Sequence, residues 1–223
     1  MTGRRLGAGF FRRPAVTVAR DLLGRTLCRR LPDGTVLRGR ITEVEAYLGE
    51  RDLASHARFG LTRRNRWMWE PGGRAYVYFV YGMHHCMNVV TGPGGEAQAV
   101  LLRAATSPNG ASASGPGRLT KAFAIDRTLD GASFLARDSG IWLEEGESVS
   151  DREVERTQRI GVDYAGSWAK RKLRFAWTPE LTSSFWTNRL RSENICCTRS
   201  LLSYGKSRTV IVSSPNSGFS LMA

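Results

Sequence analysis

Short runs in which apolar and polar residues alternate, separated by Gly- and Pro-containing turns, organise most of this chain and predict strands. In "ITEVEAYLG" (41–49), alternation puts Ile41, Glu43, Glu45 and Tyr47 on one face and Thr42, Val44 and Ala46 on the other. The preceding "TLCRRLPDGTVLRGR" supplies a partner strand and a Pro-Asp-Gly turn, so both glutamates belong to the second strand of a hairpin. "AYVYFVY", "CMNVV", "QAVLLRAAT", "GIWLEEG" and "KLRFAW" predict further strands. Helical spacing is rarer. A helix opens at Pro14 with Val16, Ala19, Leu22 and Leu23 on one side, "RLTKAFAI" forms a second, and "DREVERTQRIG" predicts a third that ends at Gly161. "DLASHARFGLTRRNRWMWEPGG" reads as a short helix and an ordered loop, and "SPNGASASGPG" as a loop. After Trp177 the pattern loses its period and turns rich in Ser, Thr and Arg. Residues 1–178 are therefore expected to form the domain, and 179–223 a basic, poorly ordered extension.

Charge narrows the partners. The 223 residues carry a formal charge of +13, and residues 1–40 hold ten Arg against two Asp. Such an excess points to a polyanion, phosphate above all. No apolar run approaches the roughly 20 residues that span a bilayer, and no apolar segment follows Arg4 and Arg5 as a secretion signal requires. Membrane partners and secretion are thus not expected. Cys28, Cys86, Cys196 and Cys197 make neither a CxxC pair nor zinc-ligand spacing and are read as reduced thiols. No metal or organic cofactor is implied.

Several residues sit where structure alone does not need them. Acids are depleted in strands and costly to bury unpaired, so Glu43 and Glu45 beside Tyr47 need solvent or a function. Asn88 and Arg103 interrupt strong strand runs, facing either solvent or a polar pocket. Tyr76, Tyr78 and Val80 share one strand face, while Val77, Phe79 and Tyr81 share the other. Aromatics at such positions fill sheet cores, yet one at a hairpin tip can wedge into a duplex and one on a wall can stack on an extruded base. His56 is a candidate hydrogen-bonding group. Arg63, Arg64 and Arg66 in "TRRNR" form either a solvated loop or a phosphate clamp.

Taken in order, "ITEVEAYLGERDLASHARFG", "TRRNRWMWEPGGRAYVYFVYGMHHCMNVV", "AVLLRA", "GPGRLTKAFAI" and "IGVDYAGSWAKRKLRF" resemble the mammalian-type alkyladenine (3-methyladenine) DNA glycosylase family, bacterial members included, over about residues 9–177. The chain has Arg63 where that family usually has Pro, which makes its loop more basic. The expected fold is α+β: a single domain with a curved, mixed but mostly antiparallel sheet flanked by helices, and a DNA-inserting hairpin projecting from a basic face.

The resemblance implies roles for these residues. Glu45 is the catalytic carboxylate, expected as an exposed strand acid at the pocket floor that activates water for attack at C1′, and Arg103 and the main chain near Ile160 help hold it. Tyr47, His56 and Tyr78 wall the base pocket, Asn88 excludes guanine's amino group, and Tyr81 intercalates. Arg63, Arg64 and Arg66 hold the DNA backbone. Glu43 is expected to pair with a nearby Arg and hold the strand. The partner is double-stranded DNA carrying alkylated or deaminated purines, bound by a monomer in the nucleoid or nucleus. A non-catalytic nucleic-acid-binding module on the same fold is the alternative. A zinc deaminase is disfavoured because neither HxE nor PCxxC is present.

Overall fold

The computed structural model describes residues 3–80, 82–106 and 108–178. Tyr81, Cys196, Cys197 and the extension from residue 179 onward lie outside the described residues.

The hairpin predicted around Pro-Asp-Gly forms from β1 (Thr26–Arg30) and β2 (Val36–Leu48). Gly34 closes it at φ +86°, a left-handed conformation that a Cβ disfavours. β2 is the organising strand. Its first half pairs with β1, and β1 in turn with β7 (Ile141–Glu144). Its second half pairs with β5 (Gln98–Thr106) and β9 (Arg174–Trp177). β3 (Ala75–Val80) and β4 (His84–Thr91) form a hairpin that joins β5. The resulting nine-stranded sheet runs β3-β4-β5-β2-β1-β7, with β6 (Ser112–Ser114) on β5, and β8 (Val154–Thr157) on β9. Every pairing among these strands is antiparallel, so the expected mixed character is absent among the described residues.

Behind the sheet lies the main core. α1 is a single turn (Ala8–Phe11). α2 (Ala15–Leu22) buries Ala15, Val18, Ala19 and Leu22, an i, i+3, i+4, i+7 stripe. Val16, expected on that stripe, is only half-buried, because the buried face is centred on Ala15, Val18, Ala19 and Leu22, and Val16 sits at its edge. The stripe packs with Leu27, Ile41, Val44, Ala46, Val100 and Leu102 from the sheet. α3 (Pro116–Ala122) adds Leu119, and Phe123 follows at its C-terminal end. Gly39 lets β2 pass close to this layer: a Cβ there would stand 2.5 Å from the Phe123 ring.

Other departures from the expected elements have local causes. Ile41 does not share a face with Glu43 and Glu45; it joins Val44 and Ala46 in the core. The β2–β5 register shifts twice here, skipping Thr42 on one strand and Arg103 on the other. This bulge resets the alternation between Ile41 and Val44. The helix expected over 151–161 is replaced by a 3-10 turn, Asp151–Glu153, and strand β8. A Ser150–Glu153 capping box starts the turn, and pairing with β9 then draws Val154 onward into the sheet. The Gly/Ser-rich loop contains β6 because the end of β5 offers open pairing positions.

Leu102 is fully buried at the centre of this layer. Leu102→Ala is expected to cost about 2–5 kcal/mol, read as a lower denaturation midpoint at unchanged slope.

Candidate active site

Register alone assembles the site. Glu45 of β2 lies opposite Leu101 of β5, Leu101 opposite Asn88 of β4, and Asn88 opposite Tyr76 of β3. Directly opposed residues point to the same side, so these side chains form one row across the sheet, on the face away from the core. Tyr78, two residues beyond Tyr76, lies on the same face and pairs with Cys86. A cavity of about 650 Å³ opens over this row, walled by Tyr47, His56, Tyr76, Tyr78, Asn88, Arg103 and the 160–164 segment, among others. That volume falls within the range of small-molecule sites.

Three donors converge on Glu45. The Ile160 amide donates to Oε1 at 2.8 Å, the Tyr47 hydroxyl donates to Oε2 at 2.9 Å, and Arg103 Nη1 lies 3.3 Å from Oε1. All three residues line the cavity, so the carboxylate stands directly behind its wall. It was expected to be exposed, but its exposure is 0%. The 158–162 segment covers the face that a solvated strand would leave open, and the donors supply what water would have supplied. Burial pushes the Glu45 pKa above the ordinary carboxylate value, opposed by Arg103, the Ile160 amide and Tyr47.

Arg103 shares the face of Leu101 by alternation and is skipped in the β2–β5 register. Its Nε donates to Glu43 Oε1 at 2.8 Å, and Arg174 Nε donates to the same oxygen at 2.6 Å. Glu43 therefore has the arginine pairing expected of it. Burial acts to raise its pKa, but the bonds from Arg174 and Arg103 prevail and hold it below the usual range. The two strand acids are thus set apart, one held ionised and one pushed toward its protonated form.

On the opposite wall the rings interlock. His56, in the 3-10 turn His56–Phe59, contacts Tyr78 with centroids 4.6 Å apart, and Tyr76 and Tyr78 lie 5.2 Å apart. His56 Nδ1 is 2.9 Å from the Tyr76 hydroxyl. Burial, helped by Arg64 and Arg58, lowers the His56 pKa to about 4, so the imidazole is neutral at physiological pH. Burial likewise raises Tyr47 and Tyr78 well above the usual tyrosine value and Tyr76 to about 12, keeping the phenols protonated as donors. Asn88, 4% exposed, donates from Nδ2 to the Tyr76 carbonyl at 3.1 Å. Arg63, Arg64 and Arg66 are all exposed. The Arg64 guanidinium leans over the Tyr78 ring at 5.3 Å, and that of Arg66 over Trp67 at 4.6 Å. Asn65, 1% exposed, ties their loop down through the His56 and Gly60 carbonyls and the Thr62 amide.

Residue-by-residue reading missed the clamp behind the site. Arg159 and Asp52 are fully buried and form a bidentate pair at 2.5 and 2.8 Å. Arg159 also donates to the Ala46 carbonyl at 3.0 Å and lies over the Tyr47 ring at 4.7 Å. Asp52 accepts from the Leu48 and Ala54 amides at 3.1 and 3.0 Å. The clamp joins the end of β2, the segment leading to His56 and the residue just before Ile160. Gly161, at φ +74°, turns the chain immediately after. The 107-position separation of Asp52 and Arg159 hides this pair from any local pattern. Among the described residues, no cluster of His, Cys, Asp or Glu has the makeup of a metal site, and no helix is long and apolar enough to cross a membrane.

Comparison with known proteins matches residues 9–180 to the family described as methylpurine-DNA glycosylase. A protein of Anaeromyxobacter sp. (strain Fw109-5) is 50% identical over 175 residues, covering 77% of this chain and 88% of that protein. The DNA-3-methyladenine glycosylases of Mus musculus and Homo sapiens are 44% and 43% identical, each over 77% of this chain. Those alignments span 58% of the mouse protein and 65% of the human one.

Two measurements probe the geometry. Carboxyl-carbon NMR should find Glu45 titrating above ordinary glutamates, and higher still in Tyr47→Phe, which removes an opposing donor; a downward move would contradict the bonding described. Arg159→Met strands the buried Asp52 carboxylate and is expected to cost about 3–5 kcal/mol. Pairing it with Asp52→Asn should recover part of that loss in chemical denaturation.

Proposed function

Because this chain belongs to the methylpurine-DNA glycosylase family, we propose that it draws alkylated or deaminated purines out of duplex DNA and hydrolyses their N-glycosidic bond, the first step of base excision repair. The observation that carries this reading is the Glu45 carboxylate held by Tyr47, Arg103 and the Ile160 amide against an aromatic cavity. An extruded purine stacks between Tyr47 on one side and His56 and Tyr78 on the other. Such stacking returns roughly 1–3 kcal/mol per base, offsetting the few kcal/mol that extrusion costs. Ring faces also attract the positive charge that N-alkylation places on a purine such as 3-methyladenine or 7-methylguanine. A neutral His56 adds no cationic repulsion.

Ionised Glu45 accepts a proton as water oxygen bonds to C1′, and the C1′–N bond electrons leave with the base. Its charge also stabilises the oxocarbenium-like sugar. A cationic base leaves without a proton, so one carboxylate suffices where ordinary glycosidases use two. The buried oxygens require that water enter between Tyr47 and Arg103 as the nucleotide binds. Asn88, fixed to the Tyr76 carbonyl, stands where guanine's exocyclic amino group would meet it. Tyr81 is assigned to fill the gap in the duplex, and Arg63, Arg64 and Arg66 to hold phosphates. The activity resides in residues 1–178, acting as a monomer on genomic DNA in the nucleoid or nucleus. Hypoxanthine, a neutral base, is a further substrate.

Single-turnover base release from duplexes carrying 3-methyladenine, 7-methylguanine or hypoxanthine tests the proposal. Glu45→Gln is expected to bind the lesion duplex but lose release by a factor of about 10² or more. Full activity in that variant would remove Glu45 from the role assigned to it. Binding without release by the wild type would favour a non-catalytic module.

A further inference from the structure

A second cavity, about 610 Å³, lies at the other end of the sheet, lined by Arg5, Arg30, Arg38, Arg137, Trp142 and Glu144 together with Gly3 and Arg4. It shares no residue with the aromatic cavity. Strand register explains it. Arg38 of β2 lies opposite Cys28 of β1, and Cys28 opposite Trp142 of β7, so these side chains rise from one face. Arg30 is two residues past Cys28 and shares that face. The opposite face carries Leu27, Ile41, Ile141 and Leu143 into the core. An isolated bridge between Arg5 and Glu144 brings the N-terminal segment alongside β7.

The arginines here outnumber the acids that answer them. Glu144 is already engaged: its Oε1 accepts from Trp142 Nε1 at 2.8 Å, and its Oε2 accepts from the Gly3 amide at 3.1 Å. Arg38 reaches it only at 3.5 Å, and Arg38 Nε is a buried donor without an acceptor. Arg4 turns to Glu145 at 2.5 Å. Among the described residues, Arg5, Arg30 and Arg137 form no ion pair with a carboxylate. Two of them are pre-set on an aromatic ring: the guanidinium carbons of Arg5 and Arg30 lie 4.3 and 5.3 Å from the Trp142 centroid. Arg5 Nη1 already donates to the Ala136 carbonyl at 3.3 Å; stacking holds a guanidinium's orientation while leaving its remaining edge N–H groups able to donate, and those edges match phosphate oxygens.

We propose that this arginine cavity over Trp142 binds phosphodiester oxygens of DNA outside the lesion pocket. The proposal rests on the reading that the chain acts on DNA. Both cavities lie on the same side of β2, away from the core. The seven positions from Arg38 to Glu45 span about 20 Å of strand. The phosphates come either from the flank of the same duplex or from a second duplex segment, and the chemistry is the same for both.

The test compares wild type with Arg30→Ala/Arg137→Ala, and with a charge-matched control at exposed sites elsewhere, Arg12→Ala/Arg152→Ala. Binding to a lesion duplex that just covers the pocket, and to one several turns longer, is followed against salt concentration; base release is measured alongside. A log affinity–log salt slope shallower by about 2 for the cavity variant on the long duplex alone identifies the flank of the same duplex. Unchanged slopes, with loss of a ternary complex that wild type forms with a second, undamaged duplex, identify a separate segment. The proposal falls if the cavity variant matches wild type in both assays, or if the control loses as much. Wild type that binds in this way but releases no base would reject the glycosylase reading and leave the cavity assignment standing. Normal release with no effect of the cavity variant would reject the cavity alone.

Discussion

A carboxylate withdrawn from water yet kept within reach of a cavity is the constraint to which this architecture answers. Desolvation of Glu45 favours its neutral form, while an amide, a phenol and a guanidinium favour its charge. Desolvation prevails and raises the carboxyl above the ordinary range, which is useful for a base: an acid with ordinary solvation holds its proton too weakly to take one efficiently from water. Each donor is delivered by a different segment. Tyr47 comes from the same strand, Arg103 from the neighbouring strand, and the Ile160 amide from a loop far along the chain.

Holding those segments together takes further ion pairs, in which Glu43, Arg174, Asp52 and Arg159 stand outside the cavity lining. Glu43 engages both Arg103 and Arg174, so Arg103 is anchored at one end while its other nitrogen faces Glu45. Asp52 and Arg159 do the same for the loop that carries Ile160. Buried ion pairs of this kind contribute little net stability, because desolvation offsets most of their attraction. Here they locate donors, as a site built to stabilise charge requires. Plain alternation sends Leu102 into the core and Arg103 toward the carboxylates, and the bulge at Arg103 leaves it without a directly opposed residue on β2, between Glu43 and Glu45.

The excess positive charge follows the same sheet. Arg64 stands over Tyr78 of the aromatic cavity, and Arg5, Arg30 and Arg137 around Trp142 at the far end. The main core lies on the opposite side, where α2 and Phe123 close it, while smaller apolar clusters around Tyr76 and Val162 pack beside the cavity. One face therefore carries the main core, and the other carries the cavity with the excess arginines, a division that strand alternation makes possible.

Strand existence and type were legible along the chain because period-2 alternation and turn residues are local signals; β1 to β5, β7 and β9 all fall on the runs that predict them. Glu45, Tyr47, His56, Tyr78, Asn88 and Arg103 were legible as chemistry because polar and aromatic groups stood out within apolar runs, and because the family pattern named them. Their convergence was not. The bulge that moved Ile41 into the core exists only through the pairing of β2 with β5. The strand at 154–157 exists only because β9 is there to pair with it. The burial of Glu45 and the clamp between Asp52 and Arg159 depend on segments more than 100 positions apart meeting in space. The amino-acid order alone thus determined the strands, the basic character and the reactive side chains, since each is a property of a residue and its near neighbours. Tertiary structure decided which acid is paired, which is poised and which donors reach it, since desolvation and hydrogen bonding depend on whatever the folded chain brings alongside.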